Sequence, residues 1–153
     1  MLTQVKVTRI RPNAKLPERQ TPDSAGADLY ACLEDSEMPM ITIQPHETVA
    51  VGIGIKTEFD KGHVALIYAR SGLALKKGLA PANKVGVIDA DYRGEWKVLL
   101  HNHTRVPQII EDGERIAQVV FQEVETPAFE EVDTDELSET VRGEGGFGST
   151  GSK

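Results

Sequence analysis

The sequence predicts an all-β domain. Three observations carry that reading: short apolar runs of strand length, turn-forming residues between them, and almost nothing with a helical period. In VAVGIGI, Val49, Val51, Ile53 and Ile55 fall on one face of an extended chain. Ala50, Gly52 and Gly54 fall on the other, where something must approach closely. HVALIY (His63 to Tyr68), EWKVLL (Glu95 to Leu100) and RIAQVVF (Arg115 to Phe121) read as further strands, and the segments VKVTRI and MITI also read as extended. Pro22-Asp23, Gln44-Pro45, Asp60-Lys61-Gly62 and Glu111-Asp112-Gly113 punctuate them. Many short strands with turns between them indicate a sandwich, barrel or jelly roll. The clearest helix runs from Ser71 to Lys77, with Ser71 as its expected N-cap.

The 153 residues fit one domain with a single core, and 39% hydrophobic residues suffice to build it. Residues 1–122 form the expected body. Beyond them the composition shifts: residues 123–144 hold nine acids and one base, Arg142, so the net charge of −7 sits in the tail and the body is neutral. The chain then ends in RGEGGFGSTGSK. A segment of this composition cannot bury enough surface to offset its ordering entropy, so 123–153 is expected to act as a mobile arm. A neutral body with an acidic arm lacks the basic footprint of a nucleic-acid binder. No apolar run reaches the roughly 20 residues of a membrane span, and the N-terminus lacks the apolar stretch of a signal peptide. A cytoplasmic protein is expected, and a reducing compartment suits the single Cys32, read as a small core side chain.

Five segments are odder than a plain β-domain requires: SAGADLYA (Ser24 to Ala31), ARSGLALKKG (Ala69 to Gly78), NKVGVIDADYRGEW (Asn83 to Trp96), DGERIAQVVF (Asp112 to Phe121) and the tail RGEGGFGSTG (Arg142 to Gly151). Each alone is ordinary. Asp-Ala-Asp near a glycine is turn chemistry, and the glycine-rich tail lacks the Gly-Lys-Ser/Thr ending of a nucleoside-triphosphate loop. His101-Asn102-His103 puts two histidines on one strand face, with no third metal ligand nearby in sequence.

Together and in this order, the five segments resemble the motifs of the trimeric dUTPase family over roughly residues 20–150. The resemblance implies a distorted jelly-roll β-barrel that forms homotrimers with active sites between subunits. One subunit would supply the first, second and fourth motifs, a second the third, and a third the C-terminal arm. It implies hydrolysis of dUTP to dUMP and pyrophosphate by water attack on the α-phosphorus, which keeps uracil out of DNA and supplies dUMP for thymidylate synthesis. Asp89 matches the general base, while Asp91, two residues on, is read as a turn residue. Tyr92 would lie under the deoxyribose and leave no room for a 2′-hydroxyl. Asn83 and the backbone of Gly86 and Ile88, in an expected hairpin, would read uracil. Arg70, Ser71, Gly72 and Gln118 would meet the phosphates. Arg115 matches the arginine of the fourth motif and either touches substrate or supports Asp28 or a neighbouring subunit. Asp28 would reach a Mg²⁺ ion through water, since Mg²⁺ keeps several waters and binds mainly through substrate phosphates. In the arm, Phe147 would cover the uracil while Arg142, Ser149 and Thr150 clamp the γ-phosphate.

Two rival readings belong to other classes. A dCTP deaminase shares this fold but carries a catalytic glutamate on the strand after the hairpin, where this chain has Leu99. A catalytically silent trimer could bind a protein partner through its acidic arm, but the presence of Asp89, Tyr92 and Phe147 argues against it. The chain departs from the family pattern in KGLAPANKVG and at Trp96, where a smaller apolar residue is more usual.

Overall fold

Alternating apolar positions organise the chain into strands that share one core. The structure, a computed structural model, describes all residues except Met1, Thr3, 34–38 and 148–153. In chain order the elements are β1 (Lys6–Arg9), β2 (Ala27–Tyr30), β3 (Met40–Ile43), β4 (Thr48–Gly52), β5 (Ile55–Glu58), β6 (His63–Tyr68), α1 (Ser71–Lys77), β7 (Leu79–Pro81), β8 (Gly86–Ile88), β9 (Lys97–Asn102), β10 (Gln108–Glu111) and β11 (Arg115–Glu123). They pair into four sheets, β1-β5, β10-β3, β2-β11-β6-β8 and β4-β9-β7. Every pairing is antiparallel. No two consecutive strands pair among the described residues, so each connection passes between sheets. This is the all-β jelly-roll class, with hydrogen bonding divided among the four sheets rather than closed into a barrel.

The VAVGIGI run splits. Its apolar face is buried at Val51, Ile53 and Ile55, but Gly54 takes a φ of 69° and turns the chain from β4 into β5, which belong to different sheets. The expected hairpin around GVIDADYRG is absent. β8 pairs with β6 and β9 with β4 and β7, because the residues between β8 and β9 form a loop instead of a two-strand turn. Ser71 is the first helical residue and Arg70 occupies the cap position without a side-chain cap bond, so the expected Ser71 cap is shifted by one.

The core is aliphatic around one large ring. Leu29, Ile43, Ile53, Leu79, Leu100, Ile110 and Ile116 are fully buried with Trp96. Trp96 sits where β4 and β5 diverge: its backbone bonds Ile53 and Ile55 on either side of Gly54, each at 3.1 Å. Its indole N–H, the Thr57 hydroxyl and both ring nitrogens of His63 are buried without a hydrogen-bond partner, and all three residues line one cleft of about 520 Å³. Cys32 is buried as expected, and burial pushes its thiol pKa up.

Asn102 is a fully buried polar residue whose side chain is completely satisfied. Its amide nitrogen donates to the carbonyls of Ile43 (3.0 Å) and Val106 (2.8 Å), and its oxygen accepts from the Thr104 amide (2.9 Å) and hydroxyl (2.7 Å). Asn102→Ala strands several of these groups, so it is expected to lower stability by about 2–4 kcal/mol. The shift of the urea midpoint at unchanged slope measures this, and a loss well under 1 kcal/mol would show that water replaces the amide.

The arm leaves the body where β11 ends: Glu123 pairs with His63 and the Val124 amide donates to the Gly62 carbonyl at 2.9 Å. Every residue from 122 to 144 is exposed, including Phe129, and beyond β11 the described segment forms one 3₁₀ turn, Thr134–Glu136. Among the described residues no helix is long and apolar enough to cross a membrane.

Candidate active site

The register of the central sheet assembles one cluster. β11 lies between β2 and β6, so Gln118 stands opposite Asp28 on one side and Tyr68 on the other. A register irregularity between Arg115 and Ala117 sets that alignment. Arg70 follows two residues after β6. Its guanidinium donates to both oxygens of Asp28, Nε to Oδ1 at 2.7 Å and Nη2 to Oδ2 at 3.3 Å. Arg115 Nη1 donates to Oδ2 at 3.2 Å, and Arg70 Nη1 reaches the Arg115 carbonyl at 3.3 Å. One buried carboxylate therefore aligns two arginines, which settles that Arg115 supports Asp28 in this structure. Gln118 Nε2 donates to the Ala69 carbonyl at 2.9 Å, and its side chain lies so close over Gly26 that a Cβ there would overlap it.

Gly26, Asp28, Arg70 and Gln118 line a cleft of about 340 Å³ with Gln20, Ser24, Ala25, Ser71 and Gly72. A second cleft of about 300 Å³ shares Arg70 and Gly72 with it and adds Lys76, Lys77, Glu114 and Arg115. Lys77 is tied to Glu114 (2.6 Å) and the Ile109 carbonyl (2.7 Å), which leaves Lys76 as the exposed lysine of the pair. Two guanidinium groups sharing one carboxylate leave net positive charge and free N–H donors, a setting for a polyanion such as a phosphate chain.

The third-motif residues are placed elsewhere. Neither cleft is lined by Asn83, Asp89 or Tyr92. Asn83 is exposed in the turn from β7 to β8, where Lys84 takes a φ of 64°. Gly86 and Ile88 lie on β8, the edge strand of its sheet, so one side of their backbone is unpaired and available to a ligand. Asp89 is exposed at the end of β8, and its carbonyl accepts from the Tyr92 amide at 3.1 Å. Tyr92 is 43% exposed. Among the described residues the Arg142 side chain bonds locally, Nε to the Gly145 carbonyl at 2.8 Å, and Phe147 is fully exposed. Ser149 and Thr150 lie outside the described residues.

Whether these residues suit Mg²⁺ turns on Asp28. It accepts three N–H bonds, and a carboxylate offers about four lone-pair sites. Direct ligation does not fit, while one contact through a metal-bound water does. Among the described residues no three His, Cys, Asp or Glu side chains could hold a metal ion. The His101 and His103 rings meet edge to face at 4.5 Å, and the Thr48 hydroxyl occupies His101 Nδ1 at 2.9 Å.

Gln20, Ser24 and Gly26 were not singled out by sequence, although the small residues of SAGAD are the signal for the close approach that Gln118 makes over Gly26.

The chain is an all-β jelly roll whose cleft at β2, β6 and β11 is lined by Asp28, Arg70, Ser71, Gly72 and Gln118. The dUTPase family profile matches residues 12–151, and on this the chain belongs to the dUTPase family. A deoxyuridine 5'-triphosphate nucleotidohydrolase of Hydrogenobaculum sp. (strain Y04AAS1) is 48% identical over 147 residues, covering 96% of this chain and 97% of the relative. That of Corynebacterium diphtheriae is 47% identical over 150 residues, covering 97% and 93%. The Staphylococcus bacteriophage 80alpha dUTPase with dUPNHPP superposes with a TM-score of 0.80 at 26% identity, covering 97% of this chain and 98% of that one. The dUTPase from phage phi11 of S. aureus, described with a structural Mg(II) ion, shares the fold with a TM-score of 0.77 at 22% identity, covering 88% and 100%.

Proposed function

We propose that the chain hydrolyses dUTP to dUMP and pyrophosphate, at sites shared between three copies, with Mg²⁺ arriving on the triphosphate. The observation that carries this reading is the division of the site. Asp28, Arg70 and Gln118 line a cleft for phosphates, with Arg115 bonded to Asp28 from the neighbouring cleft, while Asp89 and Tyr92 stand exposed on a loop that lines neither. A symmetric assembly that brings the loop of one copy to the cleft of the next completes the site. The exposed arm and the buried Thr57 hydroxyl and Trp96 indole N–H, which lack a hydrogen-bond partner, also support an assembly larger than one chain.

The chemistry needs little machinery, because phosphoryl transfer is helped mostly by positioning and charge. Asp89 holds a water and takes its proton as the oxygen bonds the α-phosphorus. The bond from that phosphorus to the bridging oxygen breaks, and pyrophosphate leaves. With an ordinary pKa of about 3.9 an aspartate is ionised but only weakly basic, so its placement outweighs its basicity. Arg70 and the backbone at Ser71 and Gly72 meet the phosphates. Gln118, held by the Ala69 carbonyl, keeps its oxygen over Gly26 at the cleft floor. A divalent ion bound to the triphosphate would supply charge neutralisation, and Asp28 would accept from one of its waters. Asn83 and the free edge of β8 read uracil, Tyr92 stacks on the deoxyribose, and the arm with Arg142, Phe147, Ser149 and Thr150 closes over the nucleotide.

Leu99, on the exposed face of β9, cannot shuttle a proton, so a deaminase reading finds no catalytic group there. Direct assay with dUTP and dCTP tests the proposal: release of dUMP and pyrophosphate from dUTP supports it, and deamination of dCTP or silence on both overturns it. Hydrolysis in ¹⁸O-labelled water is expected to place the label in dUMP. Label in pyrophosphate would mean attack at the β-phosphorus and would remove the proposed geometry.

A further inference from the structure

Outside the proposed substrate contacts, one ion pair is placed where it can govern them. Arg11 and Glu95 are separated by most of the chain, yet their side chains meet, with only 27% and 15% of their surfaces exposed. The pair lies flat across β4 at Gly52, where a Cβ would run into both Glu95 Oε1 and Arg11 Nη2. This is the close approach that the small-residue face of VAVGIGI requires. Glu95 also accepts from the Gly54 amide at 3.1 Å, and Arg11 donates its other arm to the Cys32 carbonyl.

Glu95 stands at the foot of the loop that carries Asp89 and Tyr92. The Tyr92 hydroxyl donates to the Glu95 carbonyl at 3.1 Å, and the ring lies over Gly94 so tightly that a Cβ there would overlap it. The next residue, Trp96, is fixed by backbone bonds to Ile53 and Ile55. The carbonyl that anchors the Tyr92 phenol thus belongs to a residue whose own side chain is clamped by Arg11.

We infer that the Arg11–Glu95 pair is a positioning element that fixes the Tyr92 ring and thereby sets discrimination against a ribose 2′-hydroxyl. The inference rests on the reading of Tyr92 as the residue beneath the deoxyribose. Without Arg11, Glu95 is a half-buried carboxylate with one amide partner, and such a group moves toward water. The Glu95 backbone follows, the phenol loses its fixed acceptor, and the ring gains room to yield to a ribose. Neither side chain lines the cleft assigned to the phosphates.

The test is the ratio of kcat/KM for dUTP to that for UTP, because partial unfolding lowers both and divides out. Arg11→Ala and Glu95→Ala are each expected to reduce the ratio by about tenfold. The double variant should be no worse than either single one, since the two residues act as a unit. Glu95→Gln should retain most of the ratio, because an amide oxygen still accepts from Arg11 and the Gly54 amide. Should Arg11→Ala fail to fold, Arg11→Lys keeps the charge but cannot serve Glu95 and Cys32 together, and it should shift the ratio in the same direction. Tyr92→Ala separates the two layers of the argument. If it collapses the ratio while the Arg11 and Glu95 variants leave it unchanged, the positioning role alone is overturned. If it too leaves the ratio unchanged, the Tyr92 reading falls and the inference with it.

Discussion

Replacing Asp89 by asparagine is expected to leave a folded protein that binds dUTP and turns it over about 10²–10⁴-fold more slowly, the usual loss when a general base is removed. The fold should survive because Asp89 is exposed and its backbone carbonyl, not its side chain, holds the turn to Tyr92. Binding should survive because the phosphate donors lie on Arg70 and its neighbours and the uracil contacts on the β8 edge. The amide still hydrogen-bonds a water but cannot take its proton. Single-turnover rates with calorimetric binding of a non-hydrolysable analogue separate the two steps. Near-normal turnover in this variant would remove Asp89 as the base, and the neighbouring Asp91 would be the next residue to test.

The parts of the fold visible in the sequence are those that alternate over enough residues to register. β6 buries Ala65 and Ile67 and β11 buries Ala117 and Val119 at alternate positions, and both strands lie where the pattern places them; Ile116, also buried, falls at the register irregularity of β11. β7 and β8 have three residues each, too few to show a period, and β2 is buried at every position, so it does not alternate. Periodicity also carries no information on pairing. The expected hairpin fails for that reason: residues 86–88 are extended as expected, but their partner is β6, not the next strand.

The site divides along the same line. The motifs locate Asp28, Arg70 and Gln118 individually, and the register of β11 between β2 and β6 then brings them together. That Asp28 uses three of its acceptor positions on arginines is a three-dimensional fact, and it leaves room for no more than the contact through a metal-bound water that the motif implies. Arg11 carries no local signal, since its partner Glu95 is 84 residues away. The hint lay on the opposite side of the interaction, in Gly52, whose missing side chain makes room for the pair. Trp96, unexplained by sequence, is explained by the split between β4 and β5 that it fills.

Ending the chain at Val141 is expected to leave stability nearly unchanged and to lower turnover steeply. Residues 122–144 are exposed and Phe147 makes no buried contact in the chain alone, so removing the segment beyond Val141 takes nothing from the core. The melting temperature should therefore hold within a degree or two, as for a surface change of about 0.5 kcal/mol or less. Catalysis differs because the arm is proposed to be ordered by the nucleotide. Closure places Phe147 over uracil and brings Arg142, Ser149 and Thr150 to the γ-phosphate, so its contribution appears in the closed complex and not in folding. A loss of about 10²-fold or more in kcat is the scale expected when positioning and water exclusion fail together, and Phe147→Ala, which keeps Arg142 and the hydroxyls, should lose less. The proposed sharing of sites adds a sharper expectation. Chains lacking the arm still carry Asp89, and Asp89→Asn chains still carry the arm. Unfolded together and refolded as mixed assemblies, the two should recover activity that neither has alone, because some sites then combine an intact base with an intact arm. Normal turnover by the truncated protein would show that the arm is no lid, and mixed assemblies without recovery would show that it does not cross between copies.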